Sequence, residues 1–393
     1  MYPTAAAIGV PLERQDTQMQ VFSLLASGTA RSRSELSRIL GIAPSTVSLH
    51  VAALLDSGLI SERGDGESTG GRKPRVLEVA PDGGHVLVGD LGGTHARIGI
   101  VDLTGELRHT IEIPLDVAMG PEAALVMLAA TMRQSAIDWR VTSPLRGVCI
   151  ALPGPVDINT GAPKSPARMP GWNAFPVRDW LAAEFNVPAA VDNDANLMAL
   201  GEHIVSAPGR THSITVKTGT GLGSGIVVDG RLYRGATSAA GDITHVRVAA
   251  AGTRPCSCGN LGCLETIASG AAIIRDLRAA GRDASSIRDV IALIMDGDPL
   301  PTTLVRTAGH HLGEVLGTVV NFFNPSAVFL GGALSSIEPF VAAVRSQLYE
   351  SCHPLATQSL TIAQLRTGHD AGLLGAGRLI LDEVLLGQPS LRH

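Results

Sequence analysis

The chain has 393 residues, 45% of them hydrophobic, which is enough for two or three packed domains. A formal net charge of −5 excludes a globally basic nucleic-acid binder, though a small DNA-binding module fits inside such an average. No apolar run is long enough to span a bilayer, no basic segment precedes the first apolar stretch, and three of the five cysteines fall within eight positions, so a cytoplasmic, membrane-free protein with a metal site is expected rather than a disulfide framework.

In chain order, residues 1–14 read as a flexible arm. A first helix is expected over 18–27, with Val21, Phe22, Leu24 and Leu25 close to one face. Ser34 begins a second, Gly41 ends it, and Pro44 sits where the first turn of a third helix tolerates proline. Two short helices joined by a tight turn are the sequence form of a helix-turn-helix. The later helix would enter the major groove, with Ser45, Thr46, Ser48 and His50 reaching phosphates and base edges while Val47, Leu54 and Leu55 pack inward. Residues 59–63 and 75–79 read as strands around Gly70-Gly71-Arg72-Lys73-Pro74, a wing whose Arg72 and Lys73 suit a minor groove. Charges balance across residues 1–80, so the placement of cations at the wing tip, rather than net charge, favours DNA over a plain three-helix bundle with a surface hairpin. Residues 15–81 are assigned to a winged helix-turn-helix domain.

From Val86 onward apolar strands, glycine turns and amphipathic helices alternate, the texture of an α/β fold, and Ala80-Pro81-Asp82-Gly83-Gly84 marks the boundary. Two halves each open with a strand, a glycine turn and a second strand. In the first turn Asp90, Gly92, Gly93 and Thr94 can wrap phosphate oxygens, with Asp90 holding Mg²⁺ through water. Gly219, Thr220 and Gly221 can do the same in the second, and Gly331 and Gly332 can let a nucleotide base approach. Asn193 and Asp194 suit sugar hydroxyls, Asp194 as general base, with Asn173 as a further contact; the structural alternative for Asp194 is a helix N-cap. Cys256, Cys258 and Cys263 lie in a glycine-rich loop with His245 upstream, a Cys₃His set that selects zinc and, being closed, makes the metal structural.

As a set these motifs resemble the ROK family (repressors, open reading frames and sugar kinases): DLGGTH at Asp90, PGPVD at Pro153, MPGW at Met169, DNDANLMALGE at Asp192, GTGLGSG at Gly219, AAGDITH at Ala239, CSCGNLGCLE at Cys256 and NPSAVFLGG at Asn324. The resemblance implies a two-lobed actin-like ATPase fold over 82–393, with one lobe at about 82–200 plus a C-terminal helix at 377–393 and the other at about 201–376. It also implies sugar contacts by Asn193, Asp194, Asp242, His245 and Glu265, and zinc held by His245 and the three cysteines. The GGRKP wing looks like the repressor branch, and the MPGW and NDANLMALGE wording looks most like actinobacterial regulators. Kinases of the family carry Glu-x-Gly-His where this chain has Asp242-Ile243-Thr244-His245, a shorter acid and an added branched side chain. Expected partners are operator DNA, a small sugar or sugar phosphate, and further copies of the chain in a homodimer or homotetramer. A sugar-responsive repressor is the favoured function, and an ATP-dependent sugar kinase the alternative.

Overall fold

The structure, a computed structural model, describes residues 17–65, 75–167, 169–206 and 211–386. It opens with three helices, α1 (Thr17–Ala26), α2 (Arg33–Leu40) and α3 (Pro44–Asp56), followed by antiparallel strands β1 (Ile60–Asp65) and β2 (Arg75–Val79). Val21, Phe22, Leu24 and Leu25 of α1 are all buried. The second helix starts one residue before Ser34 because Ser32 is its N-cap, accepting from the Glu35 N–H, while Glu35 Oε2 accepts from the Arg31 N–H at 2.7 Å. Gly41 ends α2 at φ +67°, a left-handed geometry that glycine takes without strain. On α3 the buried residues are Val47, Val51 and Leu54. Leu55, expected to pack inward, is only half-buried, because it lies one helical step of about 100° from that stripe.

The head is closed by polar ties. The Leu77 N–H donates to the Arg31 carbonyl at 2.8 Å, fixing β2 to the turn between α1 and α2. Glu62 pairs with Arg75 at 2.8 Å and with Arg33, and these guanidiniums hold its carboxyl below the usual carboxylate range. Both arginines are thus engaged within the fold. Beyond β2, Pro81–Gly83 forms a single 3₁₀ turn. Arg146 donates to the Gly83 carbonyl at 2.9 Å and to the carbonyl of Ser57, the residue after α3, at 3.2 Å. A Cβ on Gly83 would overlap the Gly58 carbonyl, so the close approach there requires glycine.

The chain divides into two compact units, Met1–Leu197 with Gly372–His393, and Met198–Ala371. After the head, the first unit continues with β3 (His85–Leu91), β4 (His95–Asp102), β5 (Leu107–Pro114), α4 (Pro121–Asp138), β6 (Leu145–Leu152), the short pair β7 (Val156–Asp157) and β8 (Ala162–Pro163), α5 (Val177–Phe185) and β9 (Ala189–Asn193). The helix α6 (Asp194–Ser206) begins in this unit and ends in the other. Its sheet has the order β5-β4-β3-β6-β9; β3, β4 and β5 are antiparallel neighbours, and β6 and β9 run parallel to β3. Leu87, Ile98, Leu125, Leu128, Ile150 and Val191 belong to one buried cluster with Trp172. The Trp172 indole N–H donates to the Val117 carbonyl at 2.8 Å, which satisfies its polar edge.

The second unit holds β10 (Ser213–Thr218), β11 (Leu222–Val228), β12 (Arg231–Tyr233), α7 (Glu265–Ala268), α8 (Gly270–Ala279), α9 (Ile287–Met295), α10 (Pro299–Phe323), β13 (Ala327–Gly331), α11 (Glu338–Ser351), α12 (Pro354–Thr357) and β14 (Thr361–Gln364). Its order, β12-β11-β10-β13-β14, repeats that of the first sheet, again with an antiparallel hairpin beside two parallel strands. Gly309, Gly313 and Gly317 on α10 face α11 so closely that a Cβ at any of them would meet its atoms. Glu202 of α6 is fully buried, and its oxygens accept from the N–H groups of Arg366 and Thr367 at 3.0 and 3.1 Å and from the Thr367 hydroxyl at 2.6 Å. The chain then returns to the first unit in α13 (Ala371–Leu386). Among the described residues no helix is long and apolar enough to cross a membrane.

Candidate functional site

The cysteine loop of the second unit is built by backbone geometry before any metal is considered. Two isolated β-bridges, Arg247 with Cys263 and Pro255 with Leu261, bring its ends together, and the Cys256 N–H donates to the Asn260 carbonyl at 2.9 Å. Gly259 and Gly262 turn the chain at φ +89° and +77°, and a Cβ on Gly262 would sit 2.6 Å from the Gly252 carbonyl oxygen. The result gathers one ligand atom from each of His245, Cys256, Cys258 and Cys263 within 4.8 Å of one another. Cys256 Sγ lies 3.4 Å from His245 Nδ1, and Cys258 Sγ lies 3.7 Å from Cys263 Sγ. Tetrahedral zinc, with bonds of about 2.3 Å to sulfur and about 2.0 Å to nitrogen, sets its ligand atoms roughly 3.5–3.8 Å apart, so these spacings fit it. Burial and the two neighbouring thiols push the Cys263 thiol up to about 12, the crowding that a divalent cation relieves. At Cys258 burial acts upward but is outweighed by hydrogen bonds from Asn260 and the other thiols, and the thiol lies below its ordinary value.

Other expected site residues of this unit adjoin the loop. Glu265 is buried, its Oε2 lies 3.9 Å from Cys256 Sγ, and its N–H donates to the Thr244 carbonyl at 3.1 Å. Asp242 is exposed on the turn ahead of His245. Thr244, the departure from the kinase pattern, points into the protein, where its hydroxyl donates to the Leu222 carbonyl at 3.1 Å. The strand ends of β10 and β13 also meet. The Thr218 hydroxyl donates to the Gly331 carbonyl at 2.7 Å, and Gly332 turns at φ +85° with room for no Cβ, the nearest atom being the Thr218 carbonyl oxygen at 2.6 Å. Gly219 and Thr220 turn their carbonyls to the start of α8, accepting from the N–H groups of Gly270 and Ala271 at 2.9 Å. Gly219, Thr220, Gly221, Gly331 and Gly332 are therefore grouped at one end of the sheet.

In the first unit the carboxylate and amide residues stand at the strand ends. Asp90 is the next-to-last residue of β3, and its carboxylate lies where a Cβ of Gly372 would be, at the first turn of α13. Gly93 and Thr94 are exposed in the turn that follows, while the Gly92 N–H closes it by donating to the His95 carbonyl at 2.8 Å. Asn193, rather than Asp194, caps α6: its Oδ1 accepts from the N–H groups of Ala195 and Asn196 at 3.0 and 3.1 Å, and its Nδ2 donates to the Gly154 carbonyl at 2.9 Å. Asp194 is buried at the first position of the helix and accepts from the Ala195 N–H at 2.7 Å. Asn173 is exposed, and its Oδ1 accepts from the Ser165 N–H at 2.8 Å, so its amide also holds a loop. Sequence patterning carried no signal for Glu202 or Gly372. Their partners lie far along the chain, although Glu202 closes the quoted DNDANLMALGE motif.

In the head, Ser45 and Ser48 are exposed on α3, and Thr46 and His50 are half-buried. Arg72 and Lys73 lie outside the described residues.

A helix-turn-helix head, a duplicated sheet body and a Cys₃His loop define a DNA-binding regulator with a sugar-kinase-like, actin-type body. Residues 87–383 match the model of the ROK family, and residues 15–63 match that of a helix-turn-helix domain. The chain belongs to the ROK family. It is 29% identical over 362 residues to the xylose repressor of Bacillus spizizenii, covering 90% of this chain and 92% of that one. It is 30% identical over 313 residues to a glucokinase of Halalkalibacterium halodurans, covering 74% of this chain and 93% of that one. A crystal structure of a ROK family transcriptional regulator, a homologue of the Escherichia coli MLC protein, superposes with a TM-score of 0.79 at 27% identity, covering 95% of this chain and 97% of that one.

Proposed function

We propose that this chain is a sugar-responsive, DNA-binding transcriptional repressor of genes for carbohydrate metabolism. The observation that carries the reading is the helix-turn-helix head joined to the ROK body: similarity to the xylose repressor runs over 90% of the chain, against 74% for the glucokinase. Residues 15–81 then form the DNA-binding domain and 82–393 the effector domain. Ser45, Thr46, Ser48 and His50, with Arg72 and Lys73 of the wing, contact operator DNA. Asn173, Asn193, Asp194, Asp242, His245 and Glu265 hold a sugar or sugar phosphate. Zinc on His245, Cys256, Cys258 and Cys263 is structural, since four protein ligands leave no open position for water. The effector changes DNA affinity only by binding two conformations unequally. A homodimer or homotetramer presents paired heads to two half-sites. The test is a gel shift on the chain's own promoter region across a panel of sugars and sugar phosphates. A specific complex that one sugar class weakens or strengthens is the expected result, and no specific complex at any salt concentration overturns the reading.

Identity to a glucokinase and the buried Asp194 favour a second activity, transfer of the ATP γ-phosphoryl group to a hexose or N-acetylhexosamine. Asp194 would be the general base. Asp90, Gly92, Gly93 and Thr94, and Gly219, Thr220, Gly221, Gly331 and Gly332, would be the nucleotide turns, with Mg²⁺ at Asp90. ADP release that depends on a hexose and is abolished by Asp194→Asn would establish it.

A further inference from the structure

The solvent face of α3 is unusual for a helix that reads DNA. Ser45, Ser48, Leu49 and Ala52 are exposed at spacings of three, four and seven, opposite the buried stripe of Val47, Val51 and Leu54. Leu49 is 68% exposed, so most of a leucine side chain stands in water. The Ser48 hydroxyl turns back to donate to the Pro44 carbonyl at 2.9 Å, which removes its proton from outward recognition. The helix contains no lysine or arginine, and its only acid, Asp56, is its last residue. The bidentate arginine contact that selects guanine is therefore unavailable to α3 itself. What its exposed positions offer is the hydroxyl of Ser45, the acceptor oxygen of Ser48 and two apolar groups a turn apart, flanked by the half-buried Thr46 and His50. The major groove displays one apolar group, the 5-methyl of thymine.

Resting on the repressor reading, we infer that α3 selects its operator through thymine 5-methyl groups, with Leu49 as the specificity-determining residue and Ala52 extending the apolar contact. Each methyl removed from water against Leu49 contributes like a buried methylene, about a fourfold change in affinity. Leu49 lies off the head's core stripe, so substitution there leaves the fold intact. The same exposure explains why an apolar residue is tolerated at this position: its burial partner arrives with the DNA.

The full-length chain is used to enrich binding sites from a pool of random duplexes. The enriched site is then resynthesised with deoxyuridine at each thymine in turn, which deletes the methyl and nothing else. The expected result is a loss of about fourfold per contacted methyl for the native protein. Leu49→Ala is expected to bind the thymine and uridine forms equally, and Leu49→Met, which keeps apolar reach, to retain the preference. If Leu49→Ala binds too weakly to measure, the native protein and Leu49→Met on the uridine series decide the matter. Indifference of the native protein to every methyl, or undiminished preference in Leu49→Ala, overturns the inference and leaves the repressor reading standing. Enrichment of no sequence at all overturns both.

Discussion

The two sheets of the body share a strand order and end in different chemistry. The next-to-last residue of the central strand is Asp90 in β3 and Lys217 in β10. Its partner on the parallel neighbour is Ala151 in one sheet and Gly331 in the other. At the strand ends of the first sheet stand carboxylates and amides, with Asn193 capping α6 and Asp194 buried beside it. The second sheet ends in backbone turns packed against α8, and a thiol loop is set between β12 and α7. Topology fixes where the strand ends converge, and the few side chains placed there decide what can be held.

The deepest expected asymmetry is metal dependence. Cys263→Ser, or removal of zinc by a chelator, is expected to destabilise the second unit by more than about 4 kcal/mol, as loss of a structural metal does. Hydrogen exchange should then rise across β10, β11 and α7 while β3 and β6 keep their protection. Equal loss in both sheets would contradict a metal effect confined to the second unit. Next come the glycine turns. Gly332→Ala places a Cβ 2.6 Å from the Thr218 carbonyl oxygen at φ +85° and is expected to cost about 2 kcal/mol or more in urea unfolding. Gly93→Ala, with nothing within 4 Å, should change stability by less than about 0.5 kcal/mol. A third test concerns Glu202, whose charged oxygens accept three hydrogen bonds at zero exposure. Glu202→Gln is expected to lose about 1.5–3 kcal/mol by the same measurement.

The smallest effect belongs to the first unit. Burial holds the His85 imidazole below its ordinary 6.5, against the opposing contact with Ser143. The unfolded chain therefore takes up that proton before the folded one does. Stability from neutral His85 is complete above pH 6.5 and declines as pH falls through the lower folded value. Thermal melting at pH 7.5 and 5.5 should show this slope, and His85→Gln should flatten it.

Much of this organisation was legible in the sequence. The repeated strand–turn–strand pattern, the helices of the head, Gly41 as a stop and the Cys₃His grouping all rest on local spacing, and local spacing is written in the chain. Side-chain direction within a motif was less so. Leu55 was expected in the head's core, where Val51 stands, because adjacent apolar residues on a helix compete for one stripe. Ser32 caps α2 ahead of Ser34, since several serines there offer the same oxygen and the position of Glu35 selects between them. Asn193 and Asn173 were expected to face a sugar, and both also brace their own loops. Glu202 meets residues more than 160 positions away, and Gly372 makes room for Asp90 from the other end of the chain. No periodicity reports such pairs, because they exist only after the strands have assembled. The wing residues Arg72 and Lys73 remain sequence expectations.

The grip of Arg146 on two carbonyls has a mechanical consequence. Its backbone belongs to β6, the parallel neighbour of the central strand β3, while Ser57 follows the helix proposed to meet the bases. Gly58 and Gly83 approach so closely that a Cβ on Gly83 would overlap the Gly58 carbonyl. A displacement of β6 would thus be passed through one guanidinium to the end of the helix proposed to read DNA.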